Sequence, residues 1–168
     1  MNMSKKTIII AASLSAGALI IAGCSLNQKK AIANQLGVAA AVTWIGIDNP
    51  SPETIATVKT VVDVIRIGCV NVGGENASYY LEVYPLSEEW IEANVKPELK
   101  PAAKLGAAFI LTGLDTAFAM NSDWSSNTVE ATAIASSFLN GVQVGLSLPI
   151  NSPVLIAAKR QTPVRSSR

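Results

Sequence analysis

Histidine is absent from all 168 residues. That removes Ser-His-Asp and Cys-His nucleophile arrangements, His-containing zinc sites and most proton shuttles working near neutral pH. Cysteine occurs only at positions 24 and 69, and aromatic residues make up 5% of the chain. No Ser-x-x-Lys, Gly-x-Ser-x-Gly, Walker-type glycine loop, dinucleotide glycine fingerprint or alternating-carboxylate calcium loop occurs. The expectation is therefore no catalytic constellation of a common type and no metal site. What remains for acid–base chemistry is carboxylate.

Apolar residues reach 49%, mostly Ala, Val, Ile and Leu, with eleven glycines, a composition suited to close packing. The length fits one domain with a proper core. The net charge of +1 conceals a segregation: between Ala31 and Ala158 five basic residues face all twelve acidic ones, which gives −7, while the ends are basic. An acidic body argues against nucleic acid as a partner, because binding to phosphates needs a basic face.

The first residues have a three-part layout. Met1 to Lys6 carries two lysines, Thr7 to Ala22 is an uncharged apolar run of 16, and small residues follow. Sixteen residues fall short of the ~20 that span a bilayer. The segment Ile21-Ala22-Gly23-Cys24 resembles the lipobox of bacterial lipoproteins. The resemblance implies cleavage between Gly23 and Cys24, a diacylglycerol on the Cys24 thiol and an N-acyl lipid, palmitate for example, on the new amino terminus. It further implies export to the cell envelope with membrane lipid as a partner. Ser25, where inner-membrane retention is associated with Asp, implies the periplasmic side of the outer membrane in a Gram-negative source. Cys69 is then the sole remaining thiol, without an intramolecular disulfide partner and read as a small buried hydrophobe.

The expected organisation is a signal peptide (1–23), a polar tether (24–30), a helical domain (31–158) and a basic flexible tail (159–168). Within the domain, apolar spacing predicts a helix from Ala31 to Ile47. A second, capped by Ser51 with Pro52 at its first position, follows from Glu53 to Val70, with Lys59 placed to pair with Asp63. Its many β-branched residues are a counter-signal for strand. Ser78 to Tyr84 reads as strand-like or irregular, ending at Pro85. Ser87 then caps a short helix with Glu88, Glu89 and Glu92 in and near a solvated first turn. Pro101 opens a helix to Met120. Asn127, with Glu130 three residues on, resembles a capping box for a last helix to about Leu146. The fold class is all-α, a small four- to five-helix bundle following the N-terminal signal helix.

Two constellations stand out. Asp115 is the one acid in the apolar stretch Leu105 to Met120. Either it bonds a neighbouring helix end or an aromatic polar group, fixing the register of the bundle, or it forms an acid–base pair with Asp123 or a Glu of the 88–92 segment. Ala133, Ser137, Gly141 and Gly145, four residues apart, form a ridge that permits a close helix crossing, within the bundle or in a membrane. The basic tail is either a solvated terminus or a contact for anionic headgroups. Three functional readings follow. The first is a non-enzymatic lipoprotein scaffold or binding module in the cell envelope, with envelope proteins or itself as partners. The second is a carboxylate-dependent envelope glycan hydrolase around Asp115. The third is a membrane-active or phage-encoded exclusion or lysis lipoprotein.

Overall fold

Ser25 forms a reciprocal cap. Its backbone N–H donates to Gln28 Oε1 at 2.8 Å, and the Gln28 N–H returns to Ser25 Oγ at 3.5 Å. In the computed structural model, which describes residues 24–73, 78–120 and 128–149, this cap opens α1, Leu26–Asp48. The helix therefore starts five residues before the expected Ala31, and the segment expected as a tether is its first turn. The reason is local: Ser25 and Gln28 satisfy amide groups that a helix start leaves open. At the other end Asn49 takes the left-handed conformation (φ 44°) and donates its N–H to the Ile45 carbonyl.

Helix α2, Pro52–Val72, is capped by Ser51, whose Oγ accepts from the Thr54 N–H at 3.1 Å. Val58, Val61, Val62, Ile65 and Cys69 are fully or almost fully buried along one side. The helical period overrides the β-branched composition because that side is sealed by neighbouring helices. Asp63 pairs with Arg66 at 3.2 Å rather than with the expected Lys59.

Helix α3, Tyr79–Asn94, corrects the reading of Ser78 to Tyr84 as strand-like and of Ser87 as a cap. Pro85 lies inside one continuous helix, and Ser87 is a buried interior residue whose hydroxyl donates to the Tyr84 carbonyl. Tyr79, Val83, Ser87 and Ile91 recur every four residues and are all buried, so packing stabilises a helix that proline locally weakens. Glu88, Glu89 and Glu92 are accordingly in its later turns, not in a first turn. Helix α4, Lys100–Ala119, carries Pro101 in its first turn, and α5 is Thr128–Leu146. Among the described residues there are five helices and no strand. The signal segment, the Asn127 cap, Asp123 and the basic tail lie outside them.

The helices run alternately up and down. Lys29 meets Glu130, Gly73 abuts Thr128 and Thr132, and Ser78 meets Asp115, so one end of the bundle gathers the starts of α1, α3 and α5 and the ends of α2 and α4. The opposite end joins α3 to α4 through Glu92 and Lys100. Helices α1 and α5 are consequently parallel, and theirs is the most extensive interface. Trp44, Phe138, Ile110, Leu114 and Leu139 fill the centre, each such side chain contributing ~1.5–3 kcal/mol on full burial.

Candidate functional site

Cys24 sits at the end of the bundle where α1, α3 and α5 begin, one residue before the helix cap. It is half-buried, packed at the margin of the core. One turn on, Lys29 Nζ donates to Glu130 Oε1 at 2.7 Å, with the two side chains only 11% and 16% exposed. This pair ties the first turn of α1 to the first turn of α5. Cys24 is thus joined to a braced helix start. Gly23 lies outside the described residues.

Asp115, on α4, caps α3 from outside that helix. Its Oδ1 accepts from the Tyr79 N–H at 2.8 Å, and its Oδ2 accepts from the Ser78 hydroxyl at 2.7 Å and the Tyr80 N–H at 3.2 Å. Ser78 Oγ in turn accepts from the Leu81 N–H at 3.3 Å. A carboxylate at a helix N-terminus satisfies open amide groups and complements the helix dipole. Both its oxygens are engaged in holding α3 against α4. Ser78 is the participant that sequence reasoning missed; the sole signal for it was a hydroxyl residue preceding the four-residue recurrence of Tyr79, Val83, Ser87 and Ile91.

Beneath this cap lies Cys69, a free thiol that is 1% exposed. Burial, and then the negative charge of Asp115, push it up to about 12. It is protonated at any physiological pH and is a poor nucleophile. The Tyr79 hydroxyl is pushed up as well, by burial first and then by Cys69 and Asp115.

The small-residue ridge on α5 lies against α1 of the same chain. A Cβ on Gly141 would overlap the Asn34 carbonyl, and one on Gly145 would come within 2.9 Å of the Val38 carbonyl oxygen and 2.7 Å of the Ala41 methyl. Ser137 offers its carbonyl to Asn34 Nδ2 at 3.2 Å while its hydroxyl donates to the Ala133 carbonyl at 2.9 Å; Ala133 is half-buried. The α1 counterpart is Gly37, where a Cβ would overlap the Phe138 carbonyl. Gly37 was overlooked in the sequence, although Ala33, Gly37 and Ala41 repeat at the same four-residue spacing.

Charge collects at the far end. Lys104 Nζ bridges Glu88 and Glu92 at 2.7 and 2.6 Å, Lys100 holds Glu92 at 2.8 Å, and Lys96 holds Glu53 at 3.0 Å. Hydrogen bonds from Lys100 and then Lys104 hold the Glu92 carboxyl far below the ordinary range, at about 2. A shallow surface depression lined by Glu53, Thr57, Trp90, Asn94 and Lys96 lies nearby. No group of three or more Cys, Asp or Glu placed to hold a metal occurs among the described residues. Helices α1 and α4 are long and apolar enough to cross a membrane by length and composition. Both bury apolar faces in the bundle, Trp44 and Ile45 from α1 and Ile110, Leu111 and Leu114 from α4. Compared with protein-family models, curated proteins and solved structures, the chain matches none.

Proposed function

We propose that the protein is a bacterial lipoprotein, anchored in the cell envelope through acyl chains on Cys24, whose helical domain acts without catalysis as a scaffold or binding module. The observation that carries the reading is Ile21-Ala22-Gly23-Cys24, set directly after a two-lysine segment and an apolar run of 16. Two or three acyl chains hold a protein stably on a bilayer, where one does so only marginally. Membrane lipid is then the first partner, and envelope proteins or further copies of the chain are the candidates for a second. The engagement of Asp115 with the start of α3 favours a positioning role over a catalytic one. The packing of the Gly141–Gly145 ridge against α1 likewise favours a self-contained bundle over a helix that associates in the membrane.

The test is mass spectrometry of the N-terminal peptide from protein expressed in a bacterial envelope. The expected peptide begins at Cys24 and carries a diacylglycerol and an N-acyl group; an unmodified Cys24 inside an intact leader refutes the reading. Cys24→Ser releases the domain from the membrane fraction, and pull-downs from envelopes with both forms identify anchored partners.

A further inference from the structure

Among the described residues, eight large apolar side chains are exposed, and five of them, Leu26, Ile67, Val70, Leu81 and Val129, lie at one end of the bundle. They belong to the first turns of α1, α3 and α5 and the last two turns of α2, which the Lys29–Glu130 pair and the Gly73 and Gly68 contacts bring to a common end. Val129 is 79% and Leu81 is 72% exposed. The opposite end carries the interhelical ion pairs of Glu53, Glu88 and Glu92 with Lys96, Lys100 and Lys104. Among the described residues, the exposed large apolar side chains thus concentrate at one end of the bundle and the lysine–glutamate ion pairs at the other. Cys24 is at the apolar end, and no slack separates it from the fold, because Ser25 is already the cap of α1.

We infer that the apolar end is a lipid-contact surface: the bundle stands on the bilayer with Leu26, Ile67, Val70, Leu81 and Val129 at the headgroup boundary and its carboxylate-rich end pointing away. The inference rests on the lipid-anchor reading and adds to it the orientation of the domain. An acyl chain on Sγ of Cys24 enters the bilayer within two residues of a rigid helix, so the first turn of α1 lies at the lipid surface. The exposed apolar side chains share its level, interspersed with exposed Asn27, Gln28, Asn71 and Thr128, and their contact with lipid adds to the hold of the acyl chains. Exposed Lys30 faces anionic headgroups favourably, and the acidic far end is kept from them; at the near end exposed Glu82 tempers the pattern, while the carboxylates of Asp115 and Glu130 are engaged by the start of α3 and by Lys29.

The test uses the full-length protein, processed in a bacterial envelope, purified and reconstituted in vesicles of phosphatidylethanolamine and phosphatidylglycerol. Single cysteines at exposed sites, Val129→Cys and Leu81→Cys at one end and Lys96→Cys at the other, take a nitroxide label; buried Cys69 does not compete. The ratio of accessibility to oxygen over that to a water-soluble nickel chelate is expected to be several-fold higher at 129 and 81 than at 96. Equal, aqueous ratios at all three sites in protein whose Cys24 peptide is lipidated overturn the orientation and leave the anchor standing. An unmodified Cys24 peptide overturns the anchor and the inference together. Shielding at 129 and 81 that follows protein concentration rather than lipid overturns the inference in favour of a second copy at that surface.

Discussion

Gly141 of α5 lies backbone to backbone against Asn34 of α1, so close that a Cβ at 141 would overlap the Asn34 carbonyl. No side-chain rotation relieves an overlap with backbone, so the two helices would have to separate along their most extensive interface. Gly141→Ala is therefore expected to destabilise by about 1–3 kcal/mol or more, although alanine favours a helix by ~1 kcal/mol over glycine. At Gly113 the added methyl would meet Phe138 at 3.4 Å and Ala40 at 3.5 Å, ordinary contacts. Gly113→Ala should be neutral or slightly stabilising. Urea unfolding of both variants on the Cys24→Ser background checks the contrast, and equal effects would refute it.

Asp115 gives a second expectation. Asp115→Ala leaves the Ser78 hydroxyl and the Tyr79 and Tyr80 amides without their acceptor, and hydrogen bonds to a charged group contribute ~1.5–3 kcal/mol each. Because Ser78 and Tyr80 are only half-buried and water can replace part of what they lose, a net loss of about 2–3 kcal/mol is expected, with Asp115→Asn intermediate because it keeps one acceptor oxygen. Hydrogen exchange should show the loosening first at the start of α3. A variant of unchanged stability that loses a hydrolytic activity of the wild type would instead make Asp115 catalytic.

The Lys29–Glu130 pair should behave as a shielded ion pair. Glu130→Leu breaks this bridge between α1 and α5 where both side chains are mostly shielded from water, and is expected to cost ~2–3 kcal/mol, somewhat below the range for fully buried pairs. The double substitution Lys29→Met with Glu130→Leu should recover most of that loss. A double-mutant cycle by thermal unfolding measures the coupling, and additive losses would contradict the interaction.

Acid should weaken the charged end. Because the folded-state pKa of Glu92 is depressed to about 2 by its lysine partners, its contribution is present above the ordinary carboxylate value and is lost as pH falls from about 5 towards 2. Lys104→Met should flatten the decline of stability across that window. Unfolding midpoints at stepped pH report the slope, and an unchanged slope would dissociate it from this cluster.

Cys69 yields an alkaline counterpart. Its folded pKa is raised to about 12 while the unfolded thiol titrates near 8.5, so the unfolded chain loses its proton first and stability falls between those values. At pH 8 the native Cys24→Ser protein should show no thiol to an aromatic disulfide reagent, and one after unfolding. Rapid labelling of the native fold would show the thiol to be accessible.

Much of the helical plan was legible in the sequence because its signals are local. Ser51 and Pro52 marked the start of α2, Pro101 that of α4, and the 3–4 spacing of Ile55, Val58, Val62, Ile65 and Cys69 marked a buried face. The misreadings arose where a partner distant in sequence outweighs a local breaker. Pro85 looked like an end, yet α3 continues through it because Tyr79, Val83, Ser87 and Ile91 bury one side and Asp115 caps its start from 36 residues away. The early start of α1 was missed although Ser25 and Gln28 spelled a capping box in the open. Asp63 chose Arg66 rather than Lys59 as Arg66 reached across to Asn140 on α5.

The sequence by itself determined the all-helical class, the lack of any histidine chemistry, the acidic body between basic ends and the lipobox-like stretch before Cys24. Those follow from composition, from short periods and from motifs that neighbouring residues complete. Only the tertiary structure decided that Asp115 serves the first turn of another helix, that the α5 ridge closes on Gly37 of α1, and that the exposed apolar residues gather at the Cys24 end. Each depends on which helix ends meet, and that is set by the up-and-down packing of five helices around one core.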